Sequence, residues 1–373
     1  MQQRNDFFID ALHIFVLFSF ALAQPLFDLL GRHAQFFVAH GSKPLDIILF
    51  VIILCVLLPT IAVLIEWAVG LFGRWVRQGM HALIVAGLVA CIALPVLKRV
   101  GRVPGTALLL VAIILGVLTA MSYVRFHLVR HVLTVLVPAL LLFPGLFLFH
   151  TPVSKVVLKI GFPLTAYSNV GATTPVIMVV FDEFNITSLM DEHREIDSIR
   201  YPNFAALARD ATWFRNATTV ADHTEYAVPS ILTGNYPDRR LPTAAEYPHN
   251  LFTLLSGSYD LKAFETLTQL CPDPLCDRSA TRESLSERIK LLLSDVTIVY
   301  LHILLPPGLT NRLPSIDATW NGFAARGVSE KDAKTPREQA IREPVLTFRL
   351  LSCNHRNQKD SGSKKRCGYP QER

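Results

Sequence analysis

The sequence predicts a multi-span α-helical membrane domain followed by a partial α/β domain, and three observations carry that expectation. Hydrophobic residues make up 51% of the 373-residue chain and charged residues only 18%, with a mean hydropathy of +0.36, too apolar for an ordinary soluble chain of this length. The excess is concentrated before about residue 150, where long apolar runs are separated by short basic clusters. Behind it, Val176-Ile177-Met178-Val179-Val180-Phe181 is a continuous β-rich run between Pro175 and the acidic pair Asp182-Glu183, the pattern of a strand buried on both faces of a sheet. The expected layout is a membrane domain over 1–150, a linker over 151–174, a partial α/β domain over 175–323 and a polar tail over 324–373.

A helix needs about 20 mostly apolar residues to cross a bilayer, and five stretches approach that, roughly 11–30, 46–65, 81–97, 104–123 and 131–149. An odd number places the two ends of the domain on opposite sides. Asp10 and His13 interrupt the start of the first stretch and no small-residue cleavage site follows closely, so it reads as a retained anchor rather than a signal peptide. Pro59, Pro95, Pro138 and Pro144 are expected to kink their helices. Few polar residues interrupt the runs, and Glu66, near a span end, is expected to reach the interface. Few buried polar groups and no internal repeat argue against a transporter. The positive-inside count is divided, and by itself does not place the second domain outside.

The formal net charge of +6 does not form a patch, because Lys and Arg fall at span ends and in the tail; no nucleic-acid partner is expected. Of the six cysteines, Cys55 and Cys91 lie inside apolar runs, where a thiol behaves as a small hydrophobe. Cys271 and Cys276 bracket a short loop that closes as a disulfide only in an oxidising compartment, with two free thiols as the equal alternative.

In the second half, Tyr201 to Ala211 has helical spacing at Phe204, Leu207 and Ala208, started by Pro202-Asn203. Asp182 and Glu183 stand beyond the carboxyl end of the expected strand, where open α/β sheets build binding crevices and carboxylates suit a divalent cation; a solvated turn is the plainer reading. Asp222-His223-Thr224-Glu225 then opens a short helix with Thr224 at the N-cap, Pro229 inside, Gly234 as the left-handed C-cap and Pro237 as the stop. A hydroxyl there faces unsatisfied backbone N–H groups and the positive end of the helix dipole, which suits a nucleophile attacking a tetrahedral oxyanion as well as plain capping.

These pieces, in this order, resemble the sulfatase and alkaline-phosphatase superfamily in its membrane-anchored branch. The strand ending in Asp182-Glu183 is followed by Tyr201-Pro202-Asn203-Phe204-Ala205-Ala206-Leu207-Ala208, similar to the family's Pro-Asn helix. Ala211-Thr212-Trp213-Phe214-Arg215-Asn216-Ala217 resembles its Phe-x-Asn-Ala strand, and Leu232-Thr233-Gly234-Asn235-Tyr236-Pro237 its Leu-Thr-Gly-x-Tyr-Pro. The resemblance implies an alkaline-phosphatase-like fold for the second domain and places Thr224 at the nucleophile position. The sulfatase Cys or Ser and its Arg are missing, so formylglycine chemistry is not expected. A Thr there is similar to lipoteichoic-acid synthases and phosphoethanolamine transferases, which carry an extracytoplasmic catalytic domain behind about five spans.

What the resemblance implies is therefore a multi-pass cell-membrane enzyme working on lipid, envelope or other phosphate or sulfate esters. Asp182, Glu183 and Thr224 would hold a divalent cation, Mn, Mg, Zn or Ca, and Thr224 would be the catalytic residue. His223 is expected to be structural. The family's later Asp-His pair has no counterpart, since His302 lies in an apolar strand or helix and His355 in the tail. The tail is expected to be disordered, truncated or frame-shifted, and a non-catalytic membrane protein with a degenerate domain is the competing expectation.

Overall fold

The computed structural model describes residues 2–100, 104–158, 171, 174–181, 184–238, 240–276, 284–316 and 320–323. Five helices are long and apolar enough to cross a membrane: Phe7–Arg32, Pro44–Gly70, Arg74–Arg99, Gly105–Arg125 and His127–His150. Each contains the stretch expected from hydropathy, apart from one residue at the start of the fourth, and extends to charged or small residues at its ends. The long polar tail lies outside the described residues.

Two of the prolines act through a widened turn rather than a sharp kink. The first span is α-helical to Phe18, turns as a π-helix over Ser19–Ala23 and resumes with Pro25 in its first turn. The second does the same over Ile53–Leu57, just before Pro59. Proline lacks an N–H and its ring clashes with the carbonyl four residues back; one extra residue in the preceding turn relieves both problems. Pro95 and Pro144 sit inside their helices, and Pro138 caps the second half of the fifth span after a short break.

Packing between spans follows small residues and aromatic clusters. Phe27 and Phe147 stack at 4.5 Å between ring centroids, with Phe37 and Phe50 edge-on or tilted against the same cluster. This ties the first, second and fifth spans to the turn at 33–43 (Phe37 lies in that turn), all four rings being buried. Glu66 does not reach the interface as expected: it is 1% exposed and accepts hydrogen bonds from Arg77 Nε and His81 Nδ1, both at 3.0 Å. The neighbouring span supplies its partners, so a buried position costs it less than sequence position alone suggested.

A further helix, Leu285–Leu304, begins with a capping box in which Ser284 Oγ accepts from Glu287 N–H and the Glu287 carboxylate accepts from Ser284 N–H. The Ser284 N–H and Oγ–H, both donating to it, hold the exposed Glu287 carboxyl below its usual range. Leu292, Val296 and Val299 form the buried stripe, which packs on the first three spans. At its far end Lys98 Nζ donates to the carbonyls of His302, Ile303 and Leu305 at 3.1, 2.8 and 2.7 Å, a cation on the negative end of the helix. His302 belongs to this helix and its Nε2 meets the Pro314 carbonyl at 2.9 Å, a satisfied histidine.

The expected α/β sheet is not formed among the described residues. Only isolated bridges occur, Met190 with Ile196, Thr243 with Gln269 and Leu261 with Cys276. Val176 to Phe181 has no regular secondary structure, is exposed throughout and has no strand beside it among the described residues. The reason is physical: an apolar β-rich run is a stable strand only when neighbours complete its ladder, and no described segment does so. The 211–217 segment likewise forms no strand, with a bend at Ala211 and a turn at Arg215-Asn216. The Pro202–Asp210 helix forms as expected, and Phe204 meets Phe181 and Phe184 at 6.1 and 5.6 Å.

Candidate functional site

The Thr224–Thr233 helix is built by local signals. His223, extended at φ −119° and ψ 137°, is the N-cap, so Thr224 is the first helical residue, one position later than expected. The His223 carbonyl accepts from Tyr226 and Ala227 N–H at 3.0 and 2.9 Å, and its imidazole makes no capping bond. Gly234 ends the helix at φ 72° and ψ 8°, where its missing Cβ avoids the left-handed penalty, and its N–H reaches the Ser230 carbonyl at 2.9 Å. Beyond Pro237 the chain is fastened by Asp238, which accepts from Arg240 Nε at 2.6 Å and Tyr247 Oη at 2.5 Å. The Arg240 bond pulls the Asp238 carboxyl down to about 2, while burial raises the Tyr247 phenol.

Thr224 is half-buried and lines a cavity of about 1700 Å³. Asp222, His223 and Glu225 join it there, with Glu225 buried in the first turn, where a carboxylate suits the helix dipole. Leu29, Leu30, His33 and Phe36, at the end of the first span and in the turn after it, form part of the same wall. Asp182 and Glu183 lie outside the described residues. Their sequence neighbours Phe181 and Phe184 line the cavity with Thr224. Among the described residues no group of three or more His, Cys, Asp or Glu side chains is gathered to hold a metal ion.

One wall of the cavity is secured by a buried pair that the sequence did not reveal. His40 Nδ1 lies 2.7 Å from the Phe36 carbonyl and its Nε2 lies 3.0 Å from Asp295 Oδ2. The ring thus bridges a backbone carbonyl and a carboxylate. Asp295 also accepts the Gly322 and Phe323 N–H groups at 2.6 and 3.0 Å. Both side chains are about 5% exposed or less. Nearby, Arg288 Nε and Nη2 grip Asp46 at 2.9 Å each, a bidentate pair joining the Leu285–Leu304 helix to the second span. The available signal was a carboxylate on the apolar stripe of that helix. Cys271 and Cys276 are joined as a disulfide.

Five apolar helices of spanning length, with this cavity at one end of the bundle, define a helical membrane protein. Comparison with protein-family models, curated protein sequences and solved structures finds no match.

Proposed function

We propose that the protein is a membrane-bound, sulfatase-like hydrolase or phosphoryl-group transferase that acts on lipid or envelope phosphate esters through Thr224. The observation that carries this reading is the position of Thr224: it opens a ten-residue helix and lines a cavity whose wall includes the end of the first span. A substrate with an acyl anchor in the bilayer would bring its headgroup to that place, where the helix start favours an anionic phosphate.

Thr224 Oγ attacks phosphorus, an Oγ–P bond forms, the bond to the leaving oxygen breaks, and the departing alcohol leaves with the hydroxyl proton. Water or an acceptor alcohol then takes the phosphoryl group and returns the proton to Thr224. A divalent cation held by Asp182 and Glu183, with Thr224, would neutralise the attacked phosphate and acidify the threonine hydroxyl. The α/β part of the reading rests on the ordered motifs at 176–181, 201–208, 211–217 and 232–237. The Cys271–Cys276 disulfide supports an extracytoplasmic placement, since such bonds persist in oxidising compartments.

The competing reading is a non-catalytic membrane protein with a degenerate domain, favoured by the exposed, unpaired run from Val176 to Phe181. Full-length protein in nanodiscs, supplied with a phospholipid donor and Mn²⁺, Mg²⁺, Zn²⁺ or Ca²⁺ in turn, separates them. Turnover that falls by roughly 10³-fold or more in Thr224→Ala is expected, together with a bound cation lost in Asp182→Ala. No turnover and no bound cation under any of these conditions gives the non-catalytic reading.

A further inference from the structure

The five spans bury an ionisable cluster that phosphoryl transfer does not use. It is assembled from Asp10 and His13 of the first span, Glu66 of the second, Arg77 and His81 of the third, Tyr123 of the fourth, and Arg130 and Thr134 of the fifth. His13 is 0% exposed, Glu66 and Tyr123 1%, and His81 5%. At 1.5 Å per residue, all of them lie within about 10 Å of one end of the bundle. Ionisable groups inside spans are costly, and they persist where they have partners and a use.

Counting hydrogens along the contacts shows what a second proton on His13 would complete. Tyr123 Oη lies 2.8 Å from Asp10 Oδ1 and gives the carboxylate its hydrogen. The 2.8 Å contact between His13 Nδ1 and the same oxygen therefore uses a hydrogen on the ring. Thr134 Oγ1 donates to the Arg130 carbonyl at 2.9 Å, so the 3.0 Å contact from His13 Nε2 becomes a hydrogen bond beside it when the ring carries a second hydrogen. All four are hydrogen bonds together only when His13 is doubly protonated; a neutral ring reduces one to a bare contact.

The charges around it are disposed accordingly. Arg77 Nη2 reaches Asp10 Oδ2 at 3.2 Å and its Nε reaches Glu66, so the two carboxylates face Arg77, and a proton on His13 adds a positive charge beside them and Arg130. Arg130 sits over the Tyr123 ring at 4.9 Å. On the other side of Tyr123, His81 directs Nδ1 at Glu66 while its buried Nε2 has no hydrogen-bond partner. The two histidine rings lie 5.6 and 5.1 Å from the tyrosine ring, centroid to centroid.

We propose that this cluster is a proton-binding site of the membrane domain, in which His13 holds one exchangeable proton and His81 Nε2 is the open position that accepts another. The ligand is H⁺ from the solution at that end of the bundle. Because each of the five spans contributes a group, a change in occupancy changes the charge at their common junction. This goes beyond phosphoryl transfer at Thr224 and stands whether or not that reading holds.

The test is nitrogen NMR of ring-labelled histidine in the full-length protein in nanodiscs, titrated with pH. As pH falls, His13 is expected to pass from one protonated ring nitrogen to two, assigned by loss of the signal in His13→Gln. Tyr123→Phe removes one acceptor and is expected to lower the ratio of doubly to singly protonated His13 about tenfold at fixed pH. That variant keeps the ring in place and identifies the His13 signal if His13→Gln does not fold. His81 is expected to gain a proton at Nε2 as pH falls, with Glu66→Gln altering that step. A His13 ring whose protonation does not change across the titration, or a Tyr123→Phe profile identical to wild type, overturns the proposal.

Discussion

Replacing Asp295 with alanine is expected to lower the stability of the detergent-solubilised protein by about 3–5 kcal/mol, the cost of leaving several buried groups without the carboxylate that satisfies them. The substitution strands the His40 ring and the Gly322 and Phe323 N–H groups, all of which the carboxylate satisfies. Water cannot replace it easily, because the pair is about 5% exposed or less. Asp295→Asn keeps the shape and one acceptor oxygen, so it is expected to lose less. Thermal unfolding followed at matched detergent concentration checks both, and a change under about 1 kcal/mol in the alanine variant contradicts the assignment.

Gly116→Leu is expected to be the most damaging change within the bundle. A Cβ at position 116 would stand 2.2 Å from the Ala86 carbonyl oxygen and 3.1 Å from its carbon. Those are backbone atoms of the third span, so no side-chain rotation relieves the clash and the third and fourth spans must separate. Close helix contact through small residues supplies much of the packing energy in a bilayer, where apolar burial between helices adds little. Overpacking costs typically 1–3 kcal/mol when side chains can yield, and about 3 kcal/mol or more is expected here. Gly87 has open space around its own Cβ position, so Gly87→Ala serves as the control and is expected to leave the unfolding midpoint nearly unchanged.

What the sequence made legible depended on how local each cause was. The spans could be located because a bilayer-crossing helix needs only its own apolar length. The Thr224–Thr233 helix was readable from Gly234 and Pro237, which act on their own backbone, although the cap fell on His223 rather than Thr224. The helix at 285–304 was ambiguous: Glu287, Arg288, Lys290 and Asp295 break its apolar run, and its stripe has meaning only against the spans it covers. His40 with Asp295, Asp46 with Arg288, and Glu66 with Arg77 and His81 were out of reach, because no pattern along the chain says which distant charges will be buried together. The expected strand at 176–181 shows the reverse case, a sequence signature of burial whose completion depends on neighbours that no described segment provides.

Intact-protein and peptide mass spectrometry, after reaction with a phospholipid donor and acid quench, tests the central claim most directly. The account predicts one added phosphoryl-bearing group on Thr224, absent in Thr224→Ala and chased away by water or an acceptor alcohol. Donor turnover with Thr224 unmodified, and undiminished in Thr224→Ala, would contradict it.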